Sequence, residues 1–223
     1  MTAFYYTFHI LGFAALLIYV LSASSRFGFP RIKAVLLCTA SYISMYGFML
    51  LLKLLITGTG GQNAIRAYLF LPFFVWLFAG ALGLDTRKAM DFTAIAPCIV
   101  QGISHIGCLF PGCCRSWLRV AWGIYNPIVG VRLFPVQIAE SITALLIAGW
   151  LLTGQRKKEY RTNGLDMPRM MIVFGGTRFF WEFLRDNEKL FCGISELALW
   201  ALAMVIAGVI WILTERKKSV FCG

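Results

Sequence analysis

Charged side chains are scarce in this chain of 223 residues, of which only 14% are Asp, Glu, Lys or Arg. Hydrophobic residues make up 59% of the chain, aromatic residues 15%, and the mean hydropathy is +0.75. A soluble domain of this size needs far more polar surface, so the composition excludes the soluble globular class. It predicts an integral membrane protein.

Acidic residues are the rarer of the two charge types, with 10 Asp and Glu against 21 Lys and Arg, which gives a formal net charge of +11. Most of the basic residues lie in short connections between apolar stretches, where the preference for positive charge on the cytoplasmic side accounts for them. For that reason the positive charge does not indicate nucleic-acid binding.

The alternating pattern of barrel strands is also missing, so the apolar stretches are predicted to be helices, which satisfy their own backbone hydrogen bonds in lipid. Each approaches the roughly 20 residues that a helix needs to cross about 30 Å of hydrocarbon. They lie at about 4–22, 34–56, 67–84, 89–109, 135–153, 168–185 and 194–214. The sequence therefore predicts an all-α integral membrane protein, a single transmembrane domain over residues 1–223 with about seven transmembrane helices. Pro97 is expected to kink the fourth helix.

The first stretch has no basic residue before its apolar run, so it is interpreted as a retained helix rather than a signal peptide. Basic and nearly uncharged connections alternate along the chain, which predicts an outside N-terminus and a cytoplasmic C-terminus. The connection 110–134 is an exception, because this outer loop carries Arg115, Arg119 and Arg132. Either these arginines pair with local carboxylates or reach headgroups, or they attract an anionic lipid phosphate or another anionic substrate.

The stretch SHIGCLFPGCC (104–114) brings a histidine and three cysteines to the outer end of the fourth helix. Four interpretations of His105, Cys108, Cys113 and Cys114 are open: a zinc site, a reactive thiol, a Cys108–Cys113 disulfide, or small residues lining a tight helix end. The irregular spacing and the adjacent cysteines argue against zinc, so no metal or cofactor is assigned. The remaining cysteines are predicted in apolar helices (Cys38, Cys98), on the outer face (Cys192) and in the cytoplasmic tail (Cys222).

The segment RFFWEFLR (178–185) sets a polar stripe within an aromatic helix end. Arg178 and Glu182 are four residues apart and Arg185 follows three residues later, so all three share one helical face. One interpretation is an intramembrane ion pair that holds the bundle together. The other is a phosphate clamp in which Glu182 orients the guanidinium group of Arg178 or Arg185.

The order of these elements resembles the prolipoprotein diacylglyceryl transferase family. The glycine-containing stretch SHIGCLFPGCC is followed by Trp122-Gly123, by FPVQIAE (134–140) and by RFFWEFLR. The resemblance covers nearly the whole chain, and its most specific part is the C-terminal half. It implies a multi-pass transferase of the bacterial cytoplasmic membrane with its active face outside. Family members move the diacylglyceryl group of phosphatidylglycerol to a cysteine thiol of a secreted prolipoprotein and release glycerol phosphate.

The resemblance also implies roles for individual residues, carried over position by position. Substrate binding falls to Tyr5, Gln137, Glu140, Arg178 and Arg185, and a catalytic role to Glu182. The cluster of His105, Cys108, Cys113 and Cys114, which stands in place of the family's first motif, is predicted to be catalytic as well. Arg178 and Arg185 would bind the phosphate group. His105 with Cys113 or Cys108 would take up the proton or bind the acceptor.

The chain departs from the family at its first motif. His105 stands where the family has an arginine, Cys108 and Pro111 where it has asparagines, and Cys113 where it has a glutamate. Phe134 replaces the histidine of a later motif. The polar groups of the family have thus been exchanged for cysteines at the centre of the predicted site.

Two other functions remain open from the sequence. The first is a thiol-dependent membrane enzyme or redox protein on the same fold, acting on a different lipid or small substrate. The second is a non-enzymatic lipid-binding protein, which would carry bound lipid without turning it over.

Overall fold

The computed structural model describes residues 2–57, 64–191 and 193–221, and 72% of these described residues are helical. The helices are α1 (Thr2–Ala23), α2 (Arg31–Thr57), α3 (Ala64–Ala81), α4 (Thr86–Thr93), α5 (Ala96–Gly107), α6 (Val136–Gln155), α7 (Asp166–Glu182) and α8 (Glu196–Phe221). A 3₁₀ turn (Ser24–Phe27) follows α1. The strands are β1 (Arg119–Asn126), β2 (Val131–Leu133), β3 (Lys189–Phe191) and β4 (Ile194–Ser195).

Five helical segments in the described part of the chain are long and apolar enough to cross a membrane. They are Ala3–Phe27, Arg31–Leu55, Ala64–Ala81, Val136–Gln155 and Glu196–Lys217. Large apolar side chains such as Ile10, Leu55 and Leu146 stand exposed on their outer faces, which suits contact with lipid. The prediction of a mostly helical membrane protein is confirmed.

The fourth predicted helix is interrupted, so the prediction of one continuous helix over 89–109 is wrong. The chain forms α4 and α5, of 8 and 12 residues, separated at Ala94 and Ile95. Pro97 lies in the first turn of α5 instead of kinking a longer helix. Proline is well tolerated there, because the first N–H groups of a helix have no partner within it.

The connection 110–134 is partly ordered into a hairpin. Strands β1 and β2 pair antiparallel, with Tyr125 opposite Arg132 and Asn126 opposite Val131. Strands β3 and β4 form a second, smaller antiparallel pair just before α8. These two small sheets are additions that an all-α prediction does not include.

Helix α5 packs between α1 and α6 at the centre of the bundle, and glycines let α1 approach it closely. A Cβ atom on Gly12 would lie 2.6 Å from Oγ of Ser104, and one on Gly107 would lie 2.9 Å from Cβ of Phe8 and 3.0 Å from the carbonyl oxygen of Tyr5. Small residues at such crossings allow close backbone contact where lipid provides no hydrophobic driving force. The close approach brings Tyr5 to the C-terminal end of α5.

A buried polar cluster joins α4, α6 and α7 at the opposite end of the bundle. The carboxylate of Asp91 accepts hydrogen bonds from the backbone N–H groups of Gly164 (3.0 Å) and Asp166 (2.9 Å). Gln155 donates to the backbone carbonyl of Asp91 and to the Asp166 carboxylate, both at 2.9 Å. Because Asp91 is fully buried, its carboxylate is the acceptor that the connection entering α7 needs.

We expect Asp91→Ala to destabilise the protein strongly, because two buried N–H donors would lose their acceptor. Each such donor is worth about 1–3 kcal/mol. The matched control is Asp85→Ala, which removes one exposed N-cap hydrogen bond to the Lys88 N–H, worth about 1 kcal/mol. Thermal unfolding in detergent micelles measures both losses, and equal losses would contradict this role of Asp91.

Candidate active site

A tight turn after α5, residues 108–114, carries Cys108, Cys113 and Cys114, and we call it the cysteine turn. The N–H of Cys108 donates to the carbonyl of His105 at 3.1 Å and ends the helix. The backbone then adopts positive φ at Gly112 (72°) and at Cys114 (56°), the one non-glycine residue in the described ranges with a positive φ. That conformation is unfavourable by about 1–2 kcal/mol for a residue with a side chain, so other contacts must hold it.

Two amide side chains hold this turn from its sides. Asn126 of β1 donates to the carbonyl of Gly112 at 3.0 Å. Gln137 of α6 donates to the carbonyl of Cys113 at 2.7 Å. The turn is therefore tied both to the hairpin and to α6.

The chain after the turn is joined to the end of α7. Ser116 donates from Oγ to the carbonyl of Leu184 at 2.6 Å. Arg115 forms an ion pair with Asp186, with 2.7 Å between Nη2 and Oδ2. Pairing with a local carboxylate thus explains why Arg115 lies in this loop.

Arg132, another arginine of the loop, donates to a backbone carbonyl of β1 at 3.1 Å.

The folded turn brings a histidine and two thiols together. His105 and Cys108 are three residues apart and share one face of the end of α5. The turn returns Cys114 to that face, so that one ligand atom from each of His105, Cys108 and Cys114 lies within 4.8 Å of the others. Cys113 is half-buried, and its Sγ lies 3.6 Å from the carbonyl oxygen of Cys108.

Behind this cluster lies a buried network of four charges, which we call the ion-pair ring. Arg185 lies 3.3 Å from both Glu140 (Nη1 to Oε1) and Glu182 (Nε to Oε1). Arg178 contacts Glu140 through Nη1 and lies 3.7 Å from Glu182 through Nη2. Each guanidinium group therefore contacts both carboxylates, and all four side chains are less than a tenth exposed. The ring carries no net charge.

Polar side chains extend the ring on two sides. His105 Nε2 lies 3.0 Å from Oε2 of Glu140, while His105 Nδ1 contacts the side-chain amide of Gln101. Asn187 donates to both carboxylate oxygens of Glu182, at 2.6 and 3.1 Å. His105 therefore connects the cysteine turn to the ion-pair ring.

A cavity of about 380 Å³ opens beside both groups. Its polar wall includes Tyr5, His105, Cys108, Cys114, Arg178 and Arg185. Its remaining wall is largely aromatic and apolar, with Phe13 and Phe174 among the lining residues. The cavity thus combines guanidinium donors, thiols and an apolar wall, which suits a ligand with an anionic group and hydrocarbon.

The two adjacent thiols of the turn differ in acidity. Hydrogen bonds with the Cys108 and Cys113 thiols and with His105, together with the charge of Arg185, hold the pKa of Cys114 well below its usual range. The hydrogen bond with Cys108 lowers the pKa of Cys113, but the hydrogen bond with Cys114 and burial raise it to about 11. Of this pair, Cys114 has the more acidic thiol.

Not all of the predicted site residues reach the cavity. Glu140 and Glu182 lie behind the arginines, and Gln137 holds the turn from outside the cavity wall. Sequence reasoning missed Gln101 and Asn187. Gln101 has a detectable signal, since it precedes His105 by one helical turn on the same face, whereas Asn187 lies in irregular chain beyond α7.

The disulfide interpretation of the cluster is wrong, because Cys108 and Cys113 are both free thiols. Cys38 and Cys98 are free and buried, as expected for cysteines of apolar helices. Cys192 and Cys222 lie outside the described residues.

Comparisons with known proteins agree on one family. A family model described as prolipoprotein diacylglyceryl transferase matches residues 4–214, which confirms the resemblance drawn from the motifs. A phosphatidylglycerol–prolipoprotein diacylglyceryl transferase 2 of Clostridium perfringens is 29% identical over 157 residues, 63% of this chain and 60% of that protein. The phosphatidylglycerol–prolipoprotein diacylglyceryl transferase of Clostridium tetani is 30% identical over 121 residues, 52% of this chain and 48% of that protein. The matched stretches thus span less than two thirds of these relatives.

The ion-pair ring yields a stability prediction. We expect Glu140→Gln to destabilise the protein by about 3–5 kcal/mol, because two buried guanidinium groups would be left with a single carboxylate. Thermal or denaturant unfolding in detergent measures the loss.

The matched control makes the same chemical change at an exposed ion pair. Asp186→Asn removes the carboxylate that pairs with Arg115, and both side chains are at least 30% exposed. We expect a loss of less than about 1 kcal/mol there. Similar losses in both variants would show that the ring does not carry the stability assigned to it.

Proposed function

The chain belongs to the prolipoprotein diacylglyceryl transferase family, and from this premise we propose that it moves a diacylglyceryl group from phosphatidylglycerol to the cysteine thiol of a secreted prolipoprotein. The relatives carry phosphatidylglycerol and prolipoprotein in their names, which supports these two substrates. The reaction is a substitution at an sp3 carbon. It needs a thiolate at one side of that carbon and stabilisation of the departing phosphate at the other.

One observation carries the proposal: Arg178 and Arg185 line the same cavity as the thiols of Cys108 and Cys114. A guanidinium group has five N–H donors, more than the two carboxylate contacts of each arginine use. The remaining donors can bind phosphate oxygens in the paired geometry that arginine favours.

The carboxylates of the ring position these donors. Glu140 and Glu182 each contact both guanidinium groups, so neither arginine can turn without losing a buried ion pair. Donors fixed in this way need no reorganisation as charge develops on the leaving phosphate, which is the condition for electrostatic catalysis. In this role both carboxylates act as positioning residues.

In the membrane, the proposed arrangement is that of seven crossings with the N-terminus outside and the active face at the outer leaflet. The segment α4–α5 and helix α7 would add to the five long apolar spans. The basic connections of the sequence, which include Arg26, Lys88, Arg156 and Lys157, are assigned to the cytoplasm, and the grouping of these residues supports this orientation. Arg26, Lys88, Arg156 and Lys157 surround one cavity at the end of the bundle away from the cysteine turn.

A transfer assay tests the function. Purified protein is incubated with phosphatidylglycerol labelled in its acyl chains and with a lipobox peptide, and label on the peptide is measured. We expect Arg185→Gln to lower the rate by about 10²–10³-fold, as removal of one fixed donor to developing charge typically does. Arg185→Lys, which keeps the charge but loses the forked geometry, should fall between this variant and the unmodified protein.

The control is Arg119→Gln, an exposed arginine of β1, which should leave the rate unchanged. Melting temperatures of all variants separate lost chemistry from lost folding. No label on the peptide, under conditions in which the Clostridium perfringens relative labels it, would overturn the proposed function.

A further inference from the structure

The cysteine turn has a donor set that the ion-pair ring does not use. His105, Cys108 and Cys114 offer one imidazole nitrogen and two sulfurs within 4.8 Å of one another. Around a tetrahedral zinc ion, such ligand atoms lie about 3.5–3.8 Å apart. The observed upper limit of 4.8 Å exceeds that spacing by about 1 Å, and thiolate with imidazole is a donor set that zinc prefers.

The surroundings of His105 are those of a metal ligand. Its Nε2 lies 3.0 Å from the Glu140 carboxylate, which is the outer contact that commonly orients a metal-bound imidazole. In the tautomer that carries its proton on Nε2, beside Glu140, the lone pair lies on Nδ1. In the structure Nδ1 contacts the side-chain amide of Gln101, a flexible side chain that can turn aside.

Charge balance also favours a divalent ion. The ion-pair ring is neutral by itself, since Glu140 and Glu182 offset Arg178 and Arg185. A zinc ion deprotonates the cysteines that bind it, so the charges of the ion and of two coordinated sulfurs, from Cys108 and Cys114, would cancel and leave the ring neutral.

The three candidate zinc ligands leave a fourth coordination position open to the cavity. Cys113 is not part of the group of close ligand atoms, and both Cys108 and Cys114 line the cavity. Three protein ligands with a fourth position facing a cavity is the arrangement of catalytic zinc sites, whereas structural zinc sites are closed by four.

We propose that His105, Cys108 and Cys114 bind a zinc ion whose fourth position takes the acceptor thiol, an inference that rests on the proposed function. Zinc binding deprotonates a coordinated thiol, and the released proton passes to water in the cavity. The zinc-bound sulfur attacks the glyceryl carbon attached to the phosphate oxygen. A carbon–sulfur bond forms, the carbon–oxygen bond breaks, and its electron pair leaves with glycerol phosphate, held by Arg178 and Arg185. No oxidant or reductant is needed.

Metal content gives the direct test. The full-length chain is purified in detergent, loaded with zinc chloride, freed of excess ion and measured by mass spectrometry of the metal. We expect about one zinc ion per chain, and at least about tenfold less in Cys114→Ser and in His105→Asn. Cys113→Ser is the matched control, since it alters the neighbouring thiol and should retain zinc. Equal zinc in Cys114→Ser and Cys113→Ser would overturn the site, as would an intact mass showing a disulfide of Cys108 or Cys114 in the unmodified protein.

A second test loads the unmodified protein with cobalt, so its result does not depend on the folding of any variant. Bound cobalt should show a strong thiolate-to-metal absorption band, and a lipobox peptide should shift this spectrum while the same peptide with serine in place of cysteine should not. Absence of the band would overturn the metal site, and absence of the shift would overturn the open position.

Chelation separates this inference from the proposed function. Transfer that stops when zinc is removed and returns when zinc is restored supports both. Transfer that continues at an unchanged rate in zinc-free protein overturns the zinc inference and leaves the proposed function standing. Zinc bound with the peptide-dependent cobalt shift, but without transfer of label, supports the metal site and overturns the diacylglyceryl reaction.

Discussion

The buried ring of two arginines and two glutamates is the interaction on which the rest of the site depends. Four charges in an apolar bundle are tolerable only when each is neutralised and hydrogen-bonded. Each of the four contacts two partners of opposite charge, so α6 and α7 can pack in one register only. A shift of either helix by one turn would leave charges unpaired, which is far more unfavourable than the loss of any apolar contact in this bundle.

The ring also explains why α7 differs from its neighbours. Arg178, Glu182 and Asp166 keep it polar, and it is absent from the five apolar segments able to cross a membrane by themselves. Its polar side chains are nevertheless buried, against Glu140 at one end and against Asp91 and Gln155 at the other. Helix α7 is thus held in the bundle by polar contacts at both ends and by packing against α8 between them.

His105 links two parts of the site with different chemistry. The ring residues match the family motifs, and its two arginines face the phosphate in the proposed reaction. The departures from those motifs are concentrated in the cysteine turn, at His105, Cys108 and Cys113. The turn is the part that would handle a thiol, and exchanging oxygen and nitrogen groups for sulfur changes how a thiol is activated without disturbing the anion-binding half.

Composition and the length of apolar runs were sufficient to predict a helical membrane protein, because lipid leaves a chain few other ways to satisfy its backbone. Helical spacing likewise placed Arg178 and Glu182 on one face of α7, but Arg185 lies beyond the end of that helix and joins the ring from the segment that follows. The break between α4 and α5 was not predictable, since Pro97 is compatible both with a kink inside a helix and with the start of a new one.

The sequence by itself therefore determined the class of protein and the shared face of Arg178 and Glu182, because both follow from local periodicity. Only the tertiary structure decided that Glu140 closes the ring and that Cys114, not Cys113, joins His105 and Cys108. The first depends on how α6 packs beside α7. The second depends on the positive φ of Cys114. Asn126 and Gln137, which lie on other elements, hold the turn in this conformation. Residue spacing in the sequence does not encode a positive φ.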